Sequence, residues 1–193
     1  MSLYLTPSKI KIAIFLTYIQ QTRFNPWQTL FPASSSTFLF DSYSRTQIQK
    51  EMVHFQQAWE QKSFKIALDC LTKILGLGIG LTPTGDDFIT GLLASFSALQ
   101  QLPSNFQQLA VLAKERTNAV SYAEIHEAVN EQFSQLVQRV FLSIESGNTN
   151  EMAQAVSALE EVGSTSGSDI LCGIIFGLKL FCEENNHDNS NSN

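Results

Sequence analysis

The spacing of apolar residues along the chain predicts a mainly α protein. In the segment 122–144 apolar residues recur every four positions, which places them on one face of a helix. The segment 45–75 is polar and rich in Gln but has apolar residues at similar spacing, which predicts one interrupted helix or two. A short extended or β segment is predicted near residues 37–40. Nothing between residues 45 and 182 has the alternation of a strand.

Two runs of residues are apolar on nearly every side and predict helices at the centre of the fold. The first extends from Phe88 to Leu99 and the second from Ile170 to Cys182. A helix without a polar face has no side that suits contact with water, so both belong in the interior.

The same ten-residue pattern opens both apolar runs. Residues 82–91 read TPTGDDFITG and residues 164–173 read STSGSDILCG. Both copies have the pattern (S/T)-x-(S/T)-G-x-D-x-x-x-G, in which x is any residue. Because the chain has only 10 Gly, this gapless match indicates related roles and predicts two buried central helices related by a pseudo-two-fold. Small residues one turn apart, at 91 and 95 and at 173 and 177, would let these helices approach closely.

Length and composition favour one domain. The chain has 193 residues and is 44% hydrophobic, which is enough for one well-buried core. We predict a single helical domain over residues 1–183, with a divergent N-terminal part at 1–44 and a motif-bearing core at 45–183. The Asn-, Asp- and Ser-rich tail at 184–193 is predicted to be disordered.

Charge and cysteine content exclude several classes. The net charge is -6 and no Lys/Arg cluster is present, which argues against nucleic-acid binding because phosphate contacts need concentrated positive charge. No apolar run approaches the roughly 18 residues of a membrane span. Three cysteines, an odd number, are predicted to be reduced thiols in a cytoplasmic protein.

Helix capping can explain part of the repeated motif. Thr84 with Asp87, and Ser166 with Asp169, have the spacing at which a hydroxyl caps a helix and an acid three residues later reaches back. Capping needs one acid, so Asp86 is left over. We therefore predict Asp86 to be the functional carboxylate of the first motif.

The Gly-rich loop, residues 76–85, has features that capping does not explain. Glycines at 76, 78 and 80 allow close backbone approach or a nest of N–H groups that binds an anion. The spacing fits neither a dinucleotide-binding fingerprint nor a P-loop. The candidate substrate-binding residues of this loop are Gly78, Gly80, Thr82, Thr84 and Gly85.

The acidic residues of the two motifs are the candidate catalytic and metal-binding groups. If the central helices cross near their first turns, Asp86, Asp87 and Asp169 converge, and three carboxylates suit a hard cation such as Mg²⁺. Thr165, Ser166 and Gly167 of the second motif are further candidates for substrate binding. The segment holding Arg116, Thr117 and Ser121 is either another part of an anion site or a solvated helix end.

Taken together, GIGLTPTGDDF at residues 78–88, GSTSGSD at 163–169 and Arg116-Thr117 with Ser121 resemble the AllH-type family. The resemblance covers roughly residues 68–180. It implies a subunit of oxamate carbamoyltransferase that works with larger partner subunits in allantoin degradation. The reaction implied is reversible transfer of a carbamoyl group between oxalurate and phosphate, giving oxamate and carbamoyl phosphate.

Two other classes of function stay open. A stand-alone Mg²⁺-dependent helical hydrolase, loosely similar to ADP-ribosyl-glycohydrolases, would use the three carboxylates. A non-catalytic subunit would bind an anion or assemble a complex without turnover, and assembly as a homo-oligomer is open in each case.

Overall fold

The structure is a computed structural model that describes residues 7–22 and 39–190. All regular elements in this part of the chain are helical, which confirms the mainly α class. A 3₁₀ helix at Ser104–Gln107 precedes α5. The α-helices are α1 (Lys9–Gln21), α2 (Leu39–Glu60), α3 (Phe64–Ile74), α4 (Thr84–Ala98), α5 (Gln108–Arg116), α6 (Ala119–Val129), α7 (Gln135–Ser146), α8 (Thr149–Glu160) and α9 (Ser166–Ser190).

Helices α4 and α9 form the centre of the fold and touch through glycine. A Cβ added to Gly91 would lie 1.9 Å from the carbonyl oxygen of Ile170, and one added to Gly173 would lie 2.1 Å from that of Phe88. These pairs are reciprocal, because Gly91 corresponds to Gly173 and Phe88 to Ile170 in the repeated motif. The prediction of two buried central helices in contact is confirmed, and the reciprocal contacts are those of an approximate two-fold.

A second pair of small residues continues the contact further along both helices. A Cβ added to Gly177 would lie 2.6 Å from the Ser95 side chain. The buried Ser95 hydroxyl donates a hydrogen bond to the Ile174 carbonyl of the other helix at 3.0 Å. The spacing of small residues in the sequence therefore reports a backbone-to-backbone helix crossing.

Aromatic side chains join α2 to this central pair. Trp59 stacks on Phe96 of α4 with ring centroids 4.2 Å apart. Phe55 lies 6.0 Å from Phe176 of α9, measured between centroids. Because these rings are buried, they supply much of the apolar area that holds α2 in place.

Helix α1 packs on the opposite part of the domain, near α7. Ile12 and Phe15 are its most deeply buried residues. The Lys11 ammonium also donates to the Glu145 carboxylate at 2.7 Å.

Two helical segments predicted from spacing are each divided in the structure. The segment 122–144 is not one helix, because α6 ends at Val129 and Ser134 caps α7 by accepting from the Val137 N–H. Glu131 in this break has a φ of 59°, which interrupts helical geometry. The segment 45–75 contains two helices, one of the alternatives predicted, and Lys62 between them has a φ of 55°.

Part of the predicted extended segment and part of the tail lie within helices. Residues 39 and 40 of the predicted extended segment are the first two of α2, so that prediction is wrong for them, and residues 37 and 38 lie outside the described residues. Helix α9 extends to Ser190, into the segment predicted to be a disordered tail. The domain boundaries at residues 44 and 183 stay predictions.

Two properties of the described helices concern membrane spans and disulfide bonds. None of them is both long enough and apolar enough to cross a bilayer. Cys70, Cys172 and Cys182 form no disulfide within the described residues.

We predict that Gly91→Ala and Gly173→Ala destabilise the fold to a similar extent. Each new methyl group would meet a backbone carbonyl of the other helix, which cannot rotate away, so each should cost about 3 kcal/mol or more. The measurement is the free energy of unfolding in urea. Gly147→Ala is the control, because its Cβ would meet nothing within 4 Å and its φ of 74° should cost only about 1 kcal/mol. Losses no larger than that of the control would contradict the glycine-mediated crossing.

Candidate functional site

Two buried carboxylates lie in the first turns of the crossing helices. Asp87 of α4 and Asp169 of α9 occupy the same position of the repeated motif, and they are 1% and 0% exposed. Neither oxygen of the Asp87 carboxylate has a hydrogen-bond partner in the described part of the chain. An unpaired buried charge is costly, so the neutral form of Asp87 is favoured.

The electrostatics of the site agree with a neutral Asp87. Burial is the main cause that raises its pKa to about 8, and the charges of Asp169 and Glu124 raise it further. The hydroxyls of Ser166 and Thr82 act in the opposite direction. These two hydroxyls bond to each other at 2.6 Å, and neither Asp87 oxygen has a hydrogen bond from the described residues. At neutral pH the Asp87 carboxyl therefore holds its proton.

Asp86 faces away from this pair and has a structural role. Its carboxylate accepts the Gly76 N–H at 2.7 Å and the Thr117 hydroxyl. Burial raises its pKa, and hydrogen bonds from Gly76, Thr117 and Ser121 act against that shift. Asp86 is therefore not left without a partner, because it ties the Gly-rich loop to the connection between α5 and α6, and its functional role stays a prediction.

The capping boxes predicted from the sequence are also absent at α4. Thr84 is the first residue of the helix and not its cap, and the cap position is Pro83, which has no side-chain hydrogen bond. The N–H of Gly85 donates to the Leu77 carbonyl at 2.8 Å, and the N–H groups of Asp86 and Asp87 donate to the Pro83 carbonyl. Backbone carbonyls therefore satisfy the first turn, and Asp87 is not needed as a cap.

The Gly-rich loop needs glycine for its conformation. Gly76, Gly78 and Gly80 have φ values of 73°, 137° and 95°. A Cβ on Gly78 would lie 2.5 Å from the Thr84 nitrogen, and one on Gly85 would lie 2.0 Å from the Ile74 carbonyl oxygen. Folding alone thus accounts for glycine at several of these positions.

The exposed part of the loop retains unused donors. Within the described residues, no hydrogen bond is made by the N–H groups of residues 78–82. Gly80 is exposed and a Cβ there would meet nothing within 4 Å. This short row of N–H groups has the chemistry of an anion-binding nest.

The segment from Arg116 to Ser121 holds the loop in place. Arg116 is exposed and donates to the Thr72 carbonyl at the end of α3 at 3.2 Å. The buried Ser121 hydroxyl donates to the Leu81 carbonyl at 3.3 Å. Of these three predicted site residues, Ser121 bonds to the Gly-rich loop itself, while Arg116 bonds to α3 and Thr117 to Asp86 of α4.

The second motif contributes less than the first. The Ser166 hydroxyl bonds to the Thr82 hydroxyl of the Gly-rich loop. Gly167 instead packs on α8, where an added Cβ would lie 1.8 Å from the Leu159 carbonyl oxygen. Thr165 is exposed, and its carbonyl accepts the Asp169 N–H at 2.9 Å.

The predicted convergence of three carboxylates does not occur. Asp87 and Asp169 come together, while adjacent residues of a helix point about 100° apart and Asp86 is turned to Gly76. In the part of the chain that the structure describes, no group of three His, Cys, Asp or Glu side chains could hold a metal ion.

A cavity of about 440 Å³ opens beside the carboxylate pair and was missed from the sequence. Thr90, one turn after Asp87, and Ile170, next to Asp169, form part of its lining. The rest of its lining is Glu124 and Glu127 of α6, Val137 of α7, and Gln132, Phe133 and Ser134 between these two helices. Thr90, a polar residue within an apolar run, was the one signal of this cavity in the sequence. Glu124 and Glu127 gave no signal, because glutamates on a helix usually indicate a solvated face.

Fold and site together define a helical protein in which a repeated Gly–Asp motif places two carboxylates next to a Gly-rich loop. Residues 74–178 match the family model for oxamate carbamoyltransferase subunit AllH, and since this is more than half of the chain, the protein belongs to that family. No solved structure matches it.

We predict that Asp87→Asn stabilises the protein at pH 8 but not near pH 4. Since the pKa of Asp87 is raised to about 8 in the folded state from about 4 when unfolded, stability falls as pH rises between these values. The neutral amide removes that loss, so the variant should gain several kcal/mol at pH 8 and little near pH 4. Thermal and urea unfolding at both pH values measures the difference.

Asp86→Asn is the matched variant for this comparison. It replaces an acceptor of two hydrogen bonds with a group that offers one acceptor, so it should lose about 1–2 kcal/mol near pH 4. The loss should be smaller at pH 8, because burial also raises the pKa of Asp86. If Asp87→Asn instead unfolds more easily than wild type at pH 8, Asp87 is charged and paired, contrary to the structure.

Proposed function

We propose that the chain is a subunit of a cytoplasmic carbamoyltransferase acting between oxalurate and phosphate, and that its Gly-rich loop binds an anionic small molecule. Membership of the AllH family supports the type of enzyme. In the direction that consumes oxalurate, the bond from the carbamoyl carbon to nitrogen breaks. A bond from that carbon to a phosphate oxygen forms, and the nitrogen takes a proton to give oxamate.

The observation that carries the proposal is the row of unused N–H groups at residues 78–82. Backbone donors fixed before binding lose little freedom when an anion arrives, and several of them can share one phosphate or carboxylate. The Thr82 hydroxyl lies at the end of this row. The anion site proposed is therefore the exposed side of the loop. The N–H groups of Gly85, Asp86 and Asp87 in the first turn of α4 are not part of it, because they donate to the carbonyls of Leu77 and Pro83.

The protonation of Asp87 would lower the electrostatic repulsion that an anion meets in this acidic chain. With a pKa near 8, its carboxyl is uncharged at neutral pH and does not repel an anion bound to the neighbouring loop. A carboxyl that holds a proton is also suited to donate it to a leaving nitrogen. These are the two contributions that the proposal assigns to Asp87.

Partner subunits complete the proposed enzyme. The proposal includes no turnover by the isolated chain, and an anion-binding subunit without its own catalysis uses the same loop. The Mg²⁺-dependent hydrolase finds less support, since Asp86 is committed to Gly76 and Thr117. A Mg²⁺ ion at Asp87 and Asp169, like a homo-oligomer, stays a prediction.

We expect Gly80→Ala to weaken anion binding at least tenfold. The added methyl group meets no atom, but a φ of 95° is strained for alanine, so the loop must change conformation and lose the alignment of its N–H groups. Calorimetric titration with inorganic phosphate and with oxamate, each with and without Mg²⁺, measures the affinity.

Gly147→Ala is the matched control, since Gly147 also has a positive φ and open space but lies between α7 and α8. It should bind both anions as wild type does. Equal affinity of Gly80→Ala and wild type, or no binding by wild type, would refute the loop as the anion site. Turnover of oxalurate and phosphate only when partner subunits are added would support the enzyme assignment separately.

A further inference from the structure

We infer that the cavity beside the carboxylate pair is a binding site for a small organic cation, with an ammonium or guanidinium group on a short apolar chain. The cavity lies between α4, α6, α7 and α9, and no residue of the Gly-rich loop is part of its lining. The inference goes beyond the proposed function, because the ligand has the opposite charge and a different binding site.

The shape of the cavity suits a small molecule. Its volume of about 440 Å³ lies within the range of ligand sites, roughly 300–1,000 Å³. Phe133, Val137 and Ile170 give it an apolar wall. An apolar chain of a few carbons can therefore leave water against this wall.

The charge of the cavity selects a cation. Glu124 and Glu127, on adjacent turns of α6, both line it, and the lining includes no Lys or Arg. The negative charge of Glu124 also acts on the interior of the protein, since it is one cause of the raised pKa of Asp87. Carboxylates on one wall attract a cation and repel an anion of the same shape.

Thr90 is part of the cavity lining, and its hydroxyl oxygen has capacity to accept a hydrogen bond. The Thr90 oxygen is buried and has no partner among the described residues, although helical Thr often bonds to the carbonyl one turn before. A ligand N–H is a suitable donor for this oxygen. A metal ion is a poorer match, because the described residues form no group of three metal-binding side chains.

The test uses the full chain and three four-carbon probes of similar shape: n-butylammonium, butanol and butyrate. We expect n-butylammonium to bind, butanol to bind about fivefold or more weakly, and butyrate not to bind, as measured by ligand-observed NMR and calorimetry. Glu124→Gln and Thr90→Val should each weaken n-butylammonium about fivefold, the effect of one lost polar contact. Glu115→Gln, on the exposed surface of α5, is the control and should leave the affinity unchanged.

Three results would overturn the inference. These are no binding of n-butylammonium, binding of butyrate as tight as that of n-butylammonium, or equal losses in Glu115→Gln and Glu124→Gln. Unfolding curves of each variant show whether it is folded at the titration temperature. Because Thr90→Val nearly keeps the shape of the side chain, it tests the hydroxyl even if another variant folds poorly. Phosphate binding at the Gly-rich loop is a separate measurement and does not depend on these outcomes.

Discussion

Helices α4 and α9 cross with backbone against backbone, and Gly91 and Gly173 are the residues that permit it. Each glycine faces a carbonyl of the other helix at a distance that leaves no room for a Cβ. The surrounding helices pack on this pair, with the rings of Phe55 and Trp59 on one side. A larger residue at either glycine would push the two helices apart and disrupt the packing of the surrounding helices on them.

The crossing also determines the chemistry of the site. Since both helices begin at equivalent residues of the motif, their close approach brings Asp87 and Asp169 together inside the protein. Burial there is the main cause of the raised pKa of Asp87, and the charge of Asp169 adds to it. The proposed anion site depends on this neutral carboxyl next to the exposed N–H groups of the Gly-rich loop.

The sequence predicted the scaffold well, because buried helices leave a strong pattern. The apolar runs, the repeated motif and the small residues at 91, 95, 173 and 177 all indicated the central pair that the structure shows. The hydrogen bonds of Asp86 and the lack of any at the Asp87 carboxyl were not predicted. Both acids are buried, and which of them receives hydrogen bonds depends on how the Gly-rich loop folds back. The carbonyls of Leu77 and Pro83 that replace a side-chain cap leave no mark in the sequence. The cavity was not predicted, because its glutamates lie on a helix whose polar residues have the pattern of a solvent-exposed face.

The protonation of Asp87 is the most direct test of this account. Titration of the ¹³C-labelled aspartate carboxyl groups by NMR, with Asp87→Asn used to assign the signal, measures it without reference to stability or ligands. The account predicts that the Asp87 carboxyl titrates near pH 8. A midpoint near pH 4, the value of a solvated aspartate, would show that the crossing of α4 and α9 does not bury this carboxyl as described.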